Sequence, residues 1–517
     1  MSSPSAPPPA DRPTFGVSRC LFLRAMGLVY LAAFWSLGVQ VEGLAGRDGI
    51  LPAASYLEAA RSQIGVEAYW RLPTICWFVG AGDPSLKALC ATGAALGILL
   101  ITGLAPLPSA AGAWVLYLSL ASVCRTFLNF QWDALLLEAG FLAIFMAPPR
   151  LRCRLPCLSG PPRLALWLVW WLLFRLMFSS GVVKLLSGDA TWWQLRALDV
   201  HYETQPIPTW SAWYAHQMPG WFQSCSVAIM FFIELVVPWF IAGPRLARRA
   251  ACAILAGLQL VIAATGNYAF FNLLTLALCL PLLDDAVWPR RWRPLRGIPD
   301  PSAPSPLDEP NPPVAPSPPD SPPLRRGARW PVWVAAPFAA ILVVLSLLDM
   351  TARFRLPIPW PGAVLRLSDA IGPYRIVNAY GLFAAMTTER PEIVVEGSDD
   401  GQTWLPYEFH WKPGEVTRRP VFVAPHQPRL DWQMWFAALG SYRNQPWFQA
   451  FLARLLQGSP PVLALLERNP FPDAPPRYIR SVVYDYRFTD WAARRATGAW
   501  WRREMKGLYS PPQSLRR

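Results

Sequence analysis

Apolar residues along this chain gather in long runs, and the runs set the first expectation. Stretches at 19–41, 87–104, 110–128, 132–147, 164–186, 225–243, 250–264, 268–283 and 331–348 are predominantly apolar. A helix needs about 20 such residues to cross a bilayer, so the pattern predicts eight or nine membrane spans. Residues 69–81 (YWRLPTICWFVGA) are apolar but short, as in an interfacial or re-entrant helix. No small-residue cleavage site follows a short apolar core near the N-terminus, so the first run is read as a retained anchor.

After about residue 350 the pattern changes. Long apolar runs stop and charged residues return. Segments 375–386, 391–397, 403–409 and 478–489 read as strands. Ser398-Asp399-Asp400-Gly401 supplies a tight hairpin turn between two of them. Segments 429–439, 446–457 and 490–505 read as helices. The predicted fold is a polytopic α-helical membrane bundle followed by a soluble α+β domain with a small, sandwich-compatible β-sheet. The corresponding boundaries are a disordered tail at 1–18, a transmembrane domain at 19–290 and a Pro-rich loop at 291–329. A last span at 330–348 and a C-terminal domain at 349–517 complete the chain. The core of the loop, GIPDPSAPSPLDEPNPPVAPSPPDSPPL, cannot build a core and favours extended polyproline conformations.

Composition narrows the class. Charged residues make up 15% of the chain, against roughly 25% in ordinary soluble proteins. That excludes a cytosolic enzyme of usual design. The formal charge of +14 comes without a nucleic-acid recognition motif. It reflects basic loops instead. Arg150, Arg152, Arg154 and Arg163 lie in one loop, and Arg245, Arg248 and Arg249 in another. Arg290, Arg291, Arg293, Arg296, Arg325, Arg326 and Arg329 flank the Pro-rich segment. Arginine-rich loops stay in the cytoplasm. With nine crossings, all of them share a side with the N-terminus. Loops 42–86 and 187–224, and everything after 349, then lie outside, in a lumen or periplasm.

Candidate chemistry is sparse. All 9 Cys precede residue 280, so an external C-terminal domain gains nothing from disulfides. Cys153 and Cys157 have neither redox nor zinc spacing and read as structural, or as sites of palmitoylation. Whether Cys76 and Cys225 pair outside the membrane stays open. His201, His216, His410 and His426 show no metal spacing, and no metal or cofactor is expected. No phosphate loop, nucleophile elbow or paired metal motif appears, so no catalytic residue is assigned.

Ionisable residues inside spans are costly and face the bundle interior. Here they are Arg125, Asp133, Glu138, Arg175, Lys184 and Glu234, of which Asp133, Glu138, Arg175 and Lys184 form the candidate cluster. Arg175 is placed to pair with Glu138. The cluster is either a packing clamp or a polar intramembrane site of an enzyme or lipid-handling protein. On the outer side, HYETQPIPTWSAWY holds Tyr202 and Trp210, and RPVFVAPHQPRLDWQMWFAALG holds Arg429, Asp431, Trp432 and Trp435. These aromatics serve either as anchors for a client chain or as the domain core.

Several long strings resemble the lipase maturation factor family. They are NFQWDALLLEAGFLAIFM from Asn129, SGVVKLLSGDATWWQLRALDVHYETQPIP from Ser180 and GNYAFFNLLTLALCLPLLDD from Gly266. YRIVNAYGLFAAMTTERPEIVVEG from Tyr374 and RPVFVAPHQPRLDWQMWFAALG from Arg419 extend the resemblance, which runs from about 19 to about 505. It implies a non-enzymatic factor of the endoplasmic reticulum membrane that brings secreted lipases to an active, assembled state, with a lumenal C-terminal region engaging the client. In a bacterium the compartment becomes the inner membrane. The implied partners are client lipases and the lipid bilayer. A shorter unit, Gly181-Val182-Val183-Lys184 with Gly188 and Trp192-Trp193, is similar to a motif of the horizontally transferred transmembrane family, which includes the vitamin K-dependent carboxylases. It keeps the enzyme alternative open.

Overall fold

The computed structural model describes residues 14–153, 155, 160–292 and 332–515. The expected tail before residue 14, Arg154, Cys157, the Pro-rich stretch and the arginines at 293, 296, 325, 326 and 329 lie outside the described residues.

The apolar runs become helices. In chain order they are α1 (Gly16–Gly38), α2 (Asp83–Thr102), α3 (Pro106–Val123), α4 (Gln131–Met146), α5 (Arg163–Leu186), α6 (Gly220–Leu235), α7 (Arg245–Thr265), α8 (Phe271–Cys279) and α9 (Val332–Arg353). Among the described residues, seven are long and apolar enough to cross a membrane, α6 counting its continuation to Ala242. The expected spans at 132–147 and 268–283 are helices too, but α4 has only 16 residues and α8 only 9. At 1.5 Å per residue α4 is about 24 Å long, short of the roughly 30 Å hydrocarbon layer. Close helix crossings rest on small residues. A Cβ on Gly27 of α1 would come within 2.7 Å of the Gly97 carbonyl oxygen in α2, so only glycine lets these backbones meet. The apolar segment 69–81 forms two one-turn helices, Ala68–Arg71 and Cys76–Val79. Cys76 is buried, Cys225 is exposed, and neither forms a disulfide.

The two ends of α1 tell the two sides of the bundle apart. At its start, the Gly16 and Val17 amides donate to the Asp285 carboxylate, each at 2.9 Å. Arg19 donates to the Gly160 carbonyl, Arg248 lies over the Phe15 ring, and Arg249 pairs with Asp284 at 2.7 Å. At its far end, Gln40 accepts from the Arg429 amide at 2.9 Å and Ser36 from the Gln427 amide at 2.8 Å. The C-terminal region therefore sits on the bundle at the end opposite the basic loops.

That region carries a four-stranded antiparallel sheet of order β2-β1-β5-β6. Its strands are β1 (Pro391–Ser398), β2 (Leu405–Pro406), β5 (Tyr478–Phe488) and β6 (Trp501–Gln513). A two-stranded ladder joins β3 (Glu408–Phe409) to β4 (Leu466–Arg468). The β1–β2 turn forms at the expected place, with Gly401 at φ +75°. The Asp400 carboxylate accepts from the Gln402 and Thr403 amides at 2.7 Å, and these hold it well below the usual carboxylate range. Three further helices are α10 (Gly362–Ile371), α11 (Arg429–Ala438) and α12 (Pro446–Leu456). One face of β1 is covered by α11.

Two local expectations are corrected. Residues 375–386 form no strand; they are irregular because their polar groups bond into the bundle. The expected helix 490–505 stops at Thr497, where Gly498 takes a left-handed conformation. The chain then runs as β6, an edge strand that tolerates Pro511 and Pro512. Nor is residue 349 a packing boundary. Phe34 and Leu136 of the bundle share one contiguous core with Ile393, Trp432 and Phe448.

Candidate functional site

The functional candidates converge where the C-terminal region meets the bundle. Asp133 caps the start of α4, accepting from the Phe130 amide at 3.2 Å. Its carboxylate also receives Arg429 in a two-pronged pair, 3.1 Å to one oxygen and 3.0 Å to the other. Both side chains are 0% exposed. Tyr117 donates to Asp133 at 2.5 Å, and Arg429 donates to the Phe127 carbonyl at 2.5 Å. Burial opposes the guanidinium charge, but Asp133 and Tyr117 more than offset this and raise the Arg429 pKa. Beside it, Asp431 accepts from the Trp411 and Lys412 amides, each at 2.9 Å. Burial pushes its pKa up, opposed by those two amides. A carboxylate so used orders a loop.

The remaining intramembrane charges separate into two pairs. Arg175 bonds Glu138, and the other Glu138 oxygen accepts from the Asn378 amide at 2.9 Å and the Tyr380 hydroxyl at 2.7 Å. Arg175 also donates to the Asn378 carbonyl at 3.1 Å. The segment after α10 thus reaches down to satisfy a carboxylate on α4. Lys184 joins neither residue: it pairs with Glu234 of α6 at 2.6 Å, with the Trp192 ring 5.4 Å away. The expected grouping of Glu138, Arg175 and Lys184 in one site is corrected here. The helix order in space gives Lys184 a different carboxylate.

The outer-loop residues are also mostly inside. Tyr202 packs in a small core with Trp213, Tyr486, Phe488, Trp500 and Trp501. Trp210 is half-buried, with the Arg419 guanidinium 4.9 Å from its ring. Arg429, Asp431, Trp432 and Trp435 are all buried. Of these, Trp432 and Trp435 line a cavity of about 560 Å³ between the bundle and the C-terminal region. Its other walls include Phe130, Trp132, Tyr268, Phe383 and Phe436. Asp133, Glu138, Arg175 and Lys184 do not line it.

Sequence reasoning missed one polar hub. Arg390 is fully buried and donates to the Glu203 carbonyl at 2.7 Å, the Pro206 carbonyl at 2.9 Å and the Gln205 carbonyl. It pairs with Glu392 at 2.5 Å, and Lys412 closes on the same carboxylate at 2.9 Å. Asn267 is a second clasp, accepting from the Val423 amide at 2.7 Å and donating to the Val421 carbonyl at 2.8 Å. The available signal was an arginine set against a β-branched strand in ERPEIVVEG. His201 bonds the Tyr268 hydroxyl at 3.0 Å, and burial, aided by Lys184, lowers its pKa to about 4. Among the described residues, no three His, Cys, Asp or Glu side chains come together as a metal site.

Comparison with known proteins adds a family frame. Residues 17–290 match the lipase maturation factor transmembrane domain, and residues 376–511 the lipase maturation factor C-terminal domain. The chain is 38% identical to lipase maturation factor 2 of Gallus gallus, covering 96% of this chain and 81% of that protein. It is 37% identical to lipase maturation factor 2 of Homo sapiens, covering 96% and 82%. Against lipase maturation factor 1 of Bos taurus the identity is 36%, covering 97% and 90%. No solved structure matches the chain.

Proposed function

The chain belongs to the lipase maturation factor family, and from that premise we propose that it is a membrane-bound, chaperone-like factor for secreted lipases or similar clients. It works without bond-making chemistry. It holds apolar client surface on the outer side until that surface packs. The membrane is that of the endoplasmic reticulum in a eukaryotic cell and the inner membrane in a bacterial one.

One observation carries the proposal. Arg152, Arg245, Arg248 and Arg249 lie toward the α1 start, with Arg290 and Arg291 just after Trp288, which bonds Ser18, while Gln427 and Arg429 latch the C-terminal region to the α1 end. By the positive-inside rule the basic face is cytoplasmic, and the C-terminal region meets the secretory side. Of the six proposed client contacts, Trp210 has surface access and Trp432 and Trp435 are reached through the cavity. Tyr202, Arg429 and Asp431 position those three from behind.

The test is secretion of a lipase from cells lacking their own maturation factor, with and without the full-length chain. Lipase activity per molecule secreted is expected to rise several-fold when the chain is present. An unchanged value, with the chain correctly in its membrane, would overturn the maturation role. A tag fused after Arg517 should resist protease in sealed vesicles; cleavage would overturn the placement.

A further inference from the structure

Independently of any client, we propose that residues 66–79 and 354–371 form one plate embedded in the membrane surface, at the boundary of headgroups and acyl chains on the side of the C-terminal region. The plate needs only the spans, whichever compartment that side faces. Its depth is set by two hydrogen bonds. The span α3 has 18 residues, about 27 Å at 1.5 Å per residue, and so uses its whole length to cross a hydrocarbon layer of roughly 30 Å. Ser119 and Ser122 lie close to its Val123 end. The Ser119 hydroxyl accepts from the Ile75 amide at 3.1 Å, and the Ser122 hydroxyl donates to the Pro73 carbonyl at 3.3 Å. Residues 73–75 are thereby pinned at the level where the span ends, not above it. On either side of the pin, Trp70 is 70% exposed and Phe78 is 84% exposed. Tyr69 stands against Trp77, ring centroids 4.9 Å apart, and the Trp77 Nε1 donates to the Leu72 carbonyl at 2.9 Å. Aromatic rings with an apolar body and a bonded polar tip are the material of interfacial belts.

The second half of the plate stays at the same level. The Trp360 Nε1 donates to the Thr351 hydroxyl in the last turn of α9 at 3.0 Å. The strap 354–361, with Leu356 and Ile358 exposed, therefore folds back onto the end of a span. There α10 begins. Its Val364, Leu367 and Ile371 recur in helical register on one side, while Arg366 and Asp369 take the other. None of its 10 residues is buried. A helix so short is marginal in water unless a surface packs against it, and an amphipathic helix in the plane of a membrane lays its apolar face among the acyl chains. Arg71 donates to both Asp369 oxygens, at 3.3 and 3.2 Å, and sets α10 beside the 66–79 segment. A single occupant must cover both segments at the depth where spans end. The bilayer that surrounds α3 and α9 is already there. Residues 354–371 then belong to the membrane boundary and not to the soluble domain.

The experiment uses the full-length chain in phosphatidylcholine nanodiscs, with Cys225→Ser to remove the one exposed thiol among the described residues. Trp70→Cys, Phe78→Cys, Leu367→Cys and Met505→Cys are each spin-labelled in that background, and the signal of Cys225→Ser alone is subtracted. Collision with oxygen, which concentrates in lipid, is compared with collision with a water-soluble nickel chelate. The oxygen-to-nickel ratio is expected to be several-fold higher at 70, 78 and 367 than at 505, an exposed position on the edge strand β6. A ratio as low as that of 505 at 70 and 78, or at 367, would overturn the proposal. So would a ratio that rises only with added client polypeptide or with protein concentration, since the cover would then be protein. The unsubstituted chain gives a second measurement. Phosphatidylcholine with a diazirine on its acyl chain should label residues 70–79 and 362–371 and spare 501–513; labelling confined to the spans would overturn the plate. Lipase secretion is not read in either assay, so this proposal and the maturation role fail separately.

Discussion

The basic end of the bundle and its junction with the C-terminal region treat charge in opposite ways. Arg245 and Arg249 meet Asp284 with side chains still 43% and 37% exposed. Arg429, Arg175 and Lys184 meet Asp133, Glu138 and Glu234 out of reach of water. Exposed pairs are worth little because solvent screens them. Buried pairs gain little net energy over an apolar core, yet breaking one leaves a lone charge in a dry place. The first arrangement marks a side of the membrane. The second fixes which helix meets which, and so holds the cavity in shape.

The comparison breaks most sharply at Arg429. Arg429→Met strands Asp133 and should cost about 3–5 kcal/mol, read as a large drop in melting temperature of the detergent-solubilised protein. Asp133→Asn combined with Arg429→Met should recover most of that loss; equal losses in single and double variants would show the two are not coupled. Glu234→Gln should cost less, about 2–3 kcal/mol, because Lys184 sits in the last turn of α5 and its stem can carry the charge outward. Gly97→Leu leaves every charge in place but forces α1 from α2, at about 1–3 kcal/mol; retained melting would mean that the crossing can open without cost.

Acid sharpens the contrast more gently. His201 and His426 are held neutral with pKa values of about 4, chiefly by burial. Unfolded, each takes up its proton near pH 6.5, so the unfolded state binds more protons between those limits. Stability is then full above pH 6.5 and falls as the pH drops toward 4. His201→Gln should flatten melting temperature against pH over that window. The smallest effect belongs to the basic end: Arg249→Gln should cost less than about 1 kcal/mol, since Arg245 still faces Asp284 at 3.8 Å.

How much of this could be read in the sequence follows the same divide. Seven of the nine long apolar runs announce membrane-length helices, while those at 132–147 and 268–283 give shorter ones, and Asp399-Asp400-Gly401 announces its turn, because these signals are local. Arg175 and Glu138 lie on consecutive helices, and their pairing follows from adjacency. Lys184 and Glu234 are separated by a long loop, and no periodicity states that α5 and α6 face each other there. The segment 375–386 has the apolar content of a strand, but Asn378 and Tyr380 answer a carboxylate 240 and 242 residues earlier. The edge strand after Gly498 carries mixed charges that also suit a helix, and only its pairing with β5 decides. The cavity belongs to no single segment, so no pattern along the chain points to it.

The shortness of α4 has a consequence for anyone who trims this protein. The helix is shorter than a bilayer is thick, and at its start the shortfall is filled by Arg429, Asn378 and Tyr380. A chain cut after α9 would be born with Asp133 lacking its only guanidinium partner among the described residues and Glu138 left to Arg175 without Asn378 and Tyr380. Its fate would be decided by membrane quality control long before any lipase arrived. Loss of maturation in such a deletion would therefore report a damaged anchor, and it would say nothing about where clients dock.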